Sequence, residues 1–195
     1  MDIYSRKIVR WQVHDCESSS HAADLIEDIV HIEKIDKNQL LIHSENGSPM
    51  KGATLIAKLI DLEITPSYSR PRVSNDNPYS ESLFKTVKYH YTFPENPFAS
   101  LNEARIWVEK FVLWYNDEHQ QSAIKFVKTN QSHNGLDKII MDKRKKVIEQ
   151  ARRDHPERWN GRKTRNLIPT NVVYLNPGKE LRQSAENKVQ LEKVA

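Results

Sequence analysis

Between residues 7 and 68 the spacing of apolar residues switches repeatedly between a period of two and a helical period. That switching constrains the fold more than any other feature of the chain. Residues 7–13, Lys7-Ile8-Val9-Arg10-Trp11-Gln12-Val13, alternate well enough for a strand. Ser20 is placed to cap a helix over residues 20–31, with Ala23, Ile26, Ile29 and Val30 on one face. Residues 39–43 read as a second strand, 53–60 as a helix and 65–68 as a short strand. Strand, helix, strand, helix, strand in this order predicts an α/β layered domain.

Farther along, residues 69–78 (SRPRVSNDNP) read as a polar, Pro-bounded loop, and Pro78 stands where a helix over 79–89 should begin. Ser100 with Glu103 makes a capping box for a helix over 100–116, whose apolar face carries Ala104, Trp107, Val108, Phe111, Trp114 and Tyr115 as core residues. Another helix is predicted over 137–153 and a last strand over 170–175, followed by a disordered tail over 178–195. A length of 195 residues suits one domain with a small appendage.

Several classes are excluded or disfavoured. The single Cys16 rules out an internal disulfide and any zinc site of paired cysteines, and it is read as structural. The eight histidines lack metal-ligand spacing. With no apolar run of membrane-spanning length and no apolar leader, the expectation is a soluble, cytoplasmic protein without membrane partners. Charge is uneven: residues 138–165 hold eleven Lys and Arg against four acids, on a chain whose net charge is only +4. A local basic block on a near-neutral body points to a polyanion, most often nucleic acid. A solvated helix face is the plainer alternative.

The stretch HSENGSPM, residues 43–50, places Glu45 in a polar turn directly after an apolar strand, where open α/β sheets present ligand-binding groups. Glu81 follows after 35 intervening residues, on the helix behind the polar loop, and Lys88 lies two helical turns beyond Glu81 on the same face. Two converging carboxylates suit Mg²⁺, which takes hard oxygen ligands and leaves positions for phosphate. Phosphoryl transfer on a pair of such ions usually needs a third carboxylate. Spacing alone is weak, because 26 acids generate many such pairs. His43 is read as a surface or internally satisfied residue, with a place beside the site as the alternative.

HSENGSPM, then SRPRVSNDNPYSESLFKTVKYH, then FASLNEARIWVEKFVLWYNDEHQQSAI, with DIYSRKIV at the start, resembles the integrase-core DDE transposases of bacterial insertion sequences, relatives of retroviral integrase. The likeness runs from residue 1 to about residue 177. It implies an α/β, ribonuclease-H-like integrase core with a mixed sheet flanked by helices over 1–127, then a basic helix and C-terminal strand over 128–177. It further implies a polynucleotidyl transferase that uses Mg²⁺ or Mn²⁺, acts on element-end and target DNA, and associates with itself or with intact transposase. By position, Glu81 resembles the third catalytic carboxylate and Glu45 stands at the second, both as metal ligands and catalytic groups. Lys88 resembles the residue that holds DNA near the scissile phosphate. Arg70 and Arg72 lie in a loop that meets DNA in the family, and Lys143, Arg144, Lys145 and Lys146 form a phosphate-contacting patch.

Two departures predict little turnover by this chain. Glu45 replaces the family's Asp, one methylene longer. The family's first Asp belongs to a Trp-x-x-Asp-x-Thr strand ahead of the DIYSR turn, and the sequence is therefore expected to be truncated, with its first strands missing. Asp2 falls inside that turn and is read as its cap. Gln121, where the family usually has His, points to further drift. Three readings follow: a transposase fragment impaired as a lone chain, a catalytically dead DNA-binding or transposase-inhibiting module, and a relic without function.

Overall fold

The computed structural model describes residues 1–71, 73, 76–169 and 172–175. Helix α1 (Ser19–Glu33) starts one residue earlier than the spacing predicts, because Ser18 is the cap: its Oγ accepts from the Ser20 N–H at 3.1 Å. It ends at Lys34, which turns into the left-handed region at φ 51°. Strand β1 (Leu41–Ser44) runs into helix α2 (Ala53–Asp61), which returns the chain to β2 (Thr65–Tyr68). The two strands pair in parallel, Leu41 against Thr65 through Ser44 against Tyr68. Parallel neighbours require such a crossover, and α2 is amphipathic enough to supply it, burying Leu55 and Leu59 one turn apart.

Ala23 and Ile26 of α1 meet Leu55 and Leu59 of α2 and Ile64, with Leu40 and Ile42 packed alongside. Each fully buried aliphatic side chain here stabilises by roughly 1.5–3 kcal/mol. Gly52, just ahead of α2, is required by close approach: a Cβ built there lies 2.5 Å from the Cβ of Ser19.

Helix α3 (Pro78–Lys88) begins with proline in its first turn, as the sequence indicates, and α4 (Leu101–Asp117) is capped by Ser100, whose Oγ accepts from the Glu103 N–H at 3.1 Å. Glu103 reaches back to the N–H of Ala99 rather than that of Ser100, so the box is displaced by one residue. Phe111 and Tyr115 of α4 are buried with Ile8, and Trp11, Trp107, Trp114 and the α3 side chains Leu83 and Val87 pack around them. His90 sits among Trp107, Phe111 and Trp114 with ring centroids 4.4–6.1 Å away. Burial lowers the pKa of His90, and burial followed by the nearby His90 lowers that of His119.

The expected strand over 7–13 is not one. Its alternation is right, but among the described residues no neighbouring strand pairs with it. A side chain takes that place: the Ile8 N–H donates to Asn116 Oδ1 at 3.1 Å, and Asn116 Nδ2 donates to the Ile8 carbonyl at 3.0 Å. Arg105 Nε donates to the Val13 carbonyl, and Lys7 and Arg10 reach Glu33 and Asp28 of α1. Asp2 does cap its turn, accepting from Tyr4 N–H at 3.0 Å, Ser5 N–H at 3.1 Å and the Ser5 hydroxyl. Burial opposes its charge, but these bonds and one to His133 outweigh burial and hold its pKa below the ordinary value.

After α4 come elements the sequence reading lacks: a two-residue hairpin of β3 (Gln120–Gln121) and β4 (Val127–Lys128), then α5 (Thr129–His133). Parallel and antiparallel pairing thus both occur, in two separate two-stranded sheets among the described residues. Helix α6 (Asp137–Asp154) packs Met141 against Ile124 and Val127 of that hairpin region. The last strand expected over 170–175 is absent at 172–175, where no ladder forms; residues 170 and 171, like the tail over 178–195, lie outside the described residues. Cys16 is exposed, which corrects its reading as a structural residue. No helix among the described residues is long and apolar enough to cross a membrane.

Candidate active site and DNA-facing surface

Glu45 follows the last residue of β1 directly, and Glu81 lies in the first turn of α3. A chain of polar contacts ties those two places together. Asn46 Nδ2 donates to the Ser69 carbonyl at the end of β2. The next residue, Arg70, grips Asp76 with both guanidinium arms, Nε to Oδ2 at 2.9 Å and Nη2 to Oδ1 at 2.8 Å, and its backbone N–H adds a third bond at 2.7 Å. Asp76 stands two residues before α3 and is 2% exposed. The polar loop is therefore closed on itself at the mouth between the strand tips and α3. A bidentate, charge-assisted pair of this kind fixes geometry as well as charge.

His43 is internally satisfied, as its plainer reading has it. Nδ1 lies 3.0 Å from Ser67 Oγ and Nε2 lies 3.2 Å from Ser69 Oγ. Ser69 Oγ also lies 3.4 Å from the Ser44 carbonyl, so one polar network joins the ring to the ends of both strands.

The side-chain and backbone bonds from Arg70 hold the Asp76 carboxyl down to about 2. A group with its folded pKa depressed stabilises above its ordinary pKa near 3.9, and that contribution fades as pH falls toward 2. Melts taken stepwise from pH 5 to pH 2 should therefore show a steeper loss of Tm in the parent than in Asp76→Asn. Parallel curves would refute the clasp as a source of acid sensitivity.

Glu45, Glu81 and Lys88 are all exposed. Among the described residues no hydrogen bond or ion pair engages either carboxylate, and Lys88 Nζ lies 5.9 Å from the Tyr89 ring. Free, solvent-facing carboxylates are hard oxygen donors ready for a cation. Among the described residues no group of three or more His, Cys, Asp and Glu is placed to hold a metal ion. Each exposed carboxylate taken singly is a donor of the kind that Mg²⁺ takes alongside waters and a substrate's phosphates.

The basic candidates divide. Lys143, Lys145 and Lys146 are exposed on α6, with Lys145 within 3.9 Å of Glu149. Arg144 points inward: Nη1 donates to the Lys125 carbonyl at 2.7 Å and Nη2 to the Phe126 carbonyl at 2.9 Å. Both of those residues hold φ of 60°, so Arg144 pins a left-handed turn that contains no glycine. Arg70 is exposed but committed to Asp76, and Arg72 lies outside the described residues.

The Integrase core domain family matches residues 62–127, a stretch holding Glu81 and Lys88 but not Glu45. The chain is 24% identical over 119 residues to a putative transposase for insertion sequence element IS986/IS6110 from Mycobacterium tuberculosis, and equally so to its Mycobacterium bovis counterpart. That alignment covers 59% of this chain and 43% of the relative.

Residues 62–127 are thus similar to an integrase core, and the chain is similar to insertion-sequence transposases.

A probable transposase for insertion sequence element IS1353 from Shigella flexneri is 21% identical over 118 residues, covering 60% of this chain and 23% of that one. The chain thus spans less than half the length of the curated relatives it matches. Among solved structures, the catalytic core domain of BIV integrase aligns with a TM-score of 0.49 at 16% identity, over 69% of this chain and 82% of that one. The α/β class expected from the sequence is found, and the expected likeness to an integrase core is found over residues 62–127. Sequence reasoning missed the Arg70–Asp76 clasp, although an Arg and an Asp six residues apart in a Pro-bounded loop were its visible sign.

Proposed function

We propose that this integrase core acts on DNA at the ends of an insertion sequence, by strand cleavage followed by strand transfer. The observation that supports the reading is the pair of exposed carboxylates without a partner among the described residues, Glu45 at the tip of a parallel strand pair and Glu81 at the start of α3, with the Arg70–Asp76 clasp in the loop between β2 and α3. In cleavage, a water oxygen attacks phosphorus, the P–O3′ bond breaks and a 3′-hydroxyl is released. In transfer, that hydroxyl attacks a phosphodiester of the target, whose own P–O3′ bond breaks to release a target 3′-hydroxyl. Glu45 and Glu81 would hold Mg²⁺ or Mn²⁺, which supplies charge neutralisation at the phosphate undergoing substitution. Lys88 holds the DNA backbone two turns along α3, and Lys143, Lys145 and Lys146 add phosphate contacts that carry no sequence information. Residues 128–177 serve as a basic extension of the core, working in the cytoplasm and in association with itself or with an intact transposase.

Turnover by this chain alone is expected to be slow, because Glu45 carries its carboxylate one methylene too far. A second reading, a DNA-binding or transposase-inhibiting module, draws on the exposed α6 lysines, which need no catalysis to bind phosphate. Supercoiled plasmid incubated with Mn²⁺ separates the two. Slow nicking that disappears in Glu81→Gln while DNA binding persists supports the enzyme. Binding with no nicking above background, or nicking that survives Glu81→Gln, refutes it.

A further inference from the structure

Taking 100° per residue, positions 81, 84, 85, 88 and 89 fall on one side of α3 and its cap, opposite Leu83 and Val87, which pack toward α4. That outward side carries Glu81, Phe84, Lys85, Lys88 and Tyr89, and the turn beyond it adds Tyr91. Phe84, Tyr89 and Tyr91 are 67%, 73% and 87% exposed, unusual for rings of this size. Tyr89 and Tyr91 flank His90, which is anchored inward by Thr92 Oγ1 at 2.8 Å and by the Trp114 ring at 4.4 Å. A half-buried histidine, its ring 4.6 Å from that of Tyr91, thus anchors the turn that carries both tyrosines.

We propose that Phe84, Tyr89 and Tyr91, interleaved with Lys85 and Lys88, form a stacking platform for unpaired bases beside the scissile phosphate. The inference rests on the DNA reading above and names the form of DNA the site takes. Rings alternating with cations match a strand whose bases stack and whose phosphates pair with ammonium groups. A duplex keeps its base faces inside its own stack, so exposed rings have nothing to stack on unless bases are splayed out. A protein partner is disfavoured by the two lysines and the glutamate set among the rings, since interface cores are depleted of Lys and Glu. The same side of α3 holds Glu81 and Lys88, so the platform continues the candidate site.

The test compares short blunt duplexes with the same duplexes carrying an unpaired 3′ tail that contains 2-aminopurine. The parent should bind the tailed form more tightly and change the probe's fluorescence. Tyr89→Ala/Tyr91→Ala should lose at least about tenfold in affinity for the tailed form while retaining blunt-duplex affinity and an unchanged melt. Tyr89→Phe/Tyr91→Phe, which keeps the rings, should retain the preference. The proposal is overturned if the parent shows no preference, if the alanine variant keeps it, or if the alanine change instead abolishes a concentration-dependent dimer in sedimentation. Tail preference without nicking would refute the chemistry and leave the platform standing; nicking without tail preference would do the reverse.

Discussion

Asn116→Ala is expected to lower stability by about 3 kcal/mol, and Tm by roughly 6–12 °C for a chain of this size. Asn116 is 7% exposed, and its amide is the only partner described for either backbone group of Ile8, itself 8% exposed. Thr129, wholly buried, donates its hydroxyl to the same Oδ1 at 3.0 Å. Truncation leaves a buried N–H and a buried carbonyl unpaired, each costing about 1–3 kcal/mol. Asn116→Asp is expected to fail as well, since a carboxylate accepts from the Ile8 N–H but has nothing to donate to its carbonyl. Thermal melts measure the loss, and faster exchange of the Ile8 amide locates it. A change below about 1 kcal/mol would show that the segment is held by Ile8 and Trp11 packing alone.

The other large effect is catalytic. Glu45→Asp is expected to raise metal-dependent nicking by about a hundredfold, the scale on which a misplacement of 1 Å costs rate. Removing one methylene draws the carboxylate back by over an angstrom, and Mg²⁺ tolerates little departure from octahedral geometry. Because Glu45 is exposed and engaged by no described partner, the change should leave the melt untouched, so rate and stability are read separately. Equal or lower nicking by Glu45→Asp would show that side-chain length at this position does not limit turnover.

What the sequence made legible was whatever repeats along it. Helices α2, α3, α4 and α6 follow the spacing of apolar residues to within a residue or two, since that spacing reports the buried face directly. Residues 7–13 show the limit of the same logic: alternation reports two differing faces, whereas a ladder also needs a partner, and here an asparagine from residue 116 fills the role. The β3–β4 hairpin left no trace because two-residue strands have no period and its left-handed turn uses Lys125 and Phe126 rather than glycine. Three serines in a row blurred the start of α1, where only the hydrogen bond from Ser20 N–H singles out Ser18. At the site, Glu45 and Glu81 were named from their context, whereas Asp76 was passed over inside a loop. The charge run on α6 looked uniform, yet one helical turn aims Arg144 at carbonyls and its neighbours at solvent.

The amino-terminal turn is stapled shut by residues far away along the chain. His133 Nδ1 lies 3.3 Å from Asp2 and 3.2 Å from Ser5, while its Nε2 lies 3.0 Å from Glu33 on α1. Ile8 is bound to Asn116 across 108 residues and Asp2 to His133 across 131, and closures over such separations are slow. On a ribosome, this turn is made long before the residues that enclose it. Ile8 and Trp11 stay uncovered until α4, which packs on them, has left the exit tunnel, and during that interval the nascent chain offers a chaperone an apolar segment.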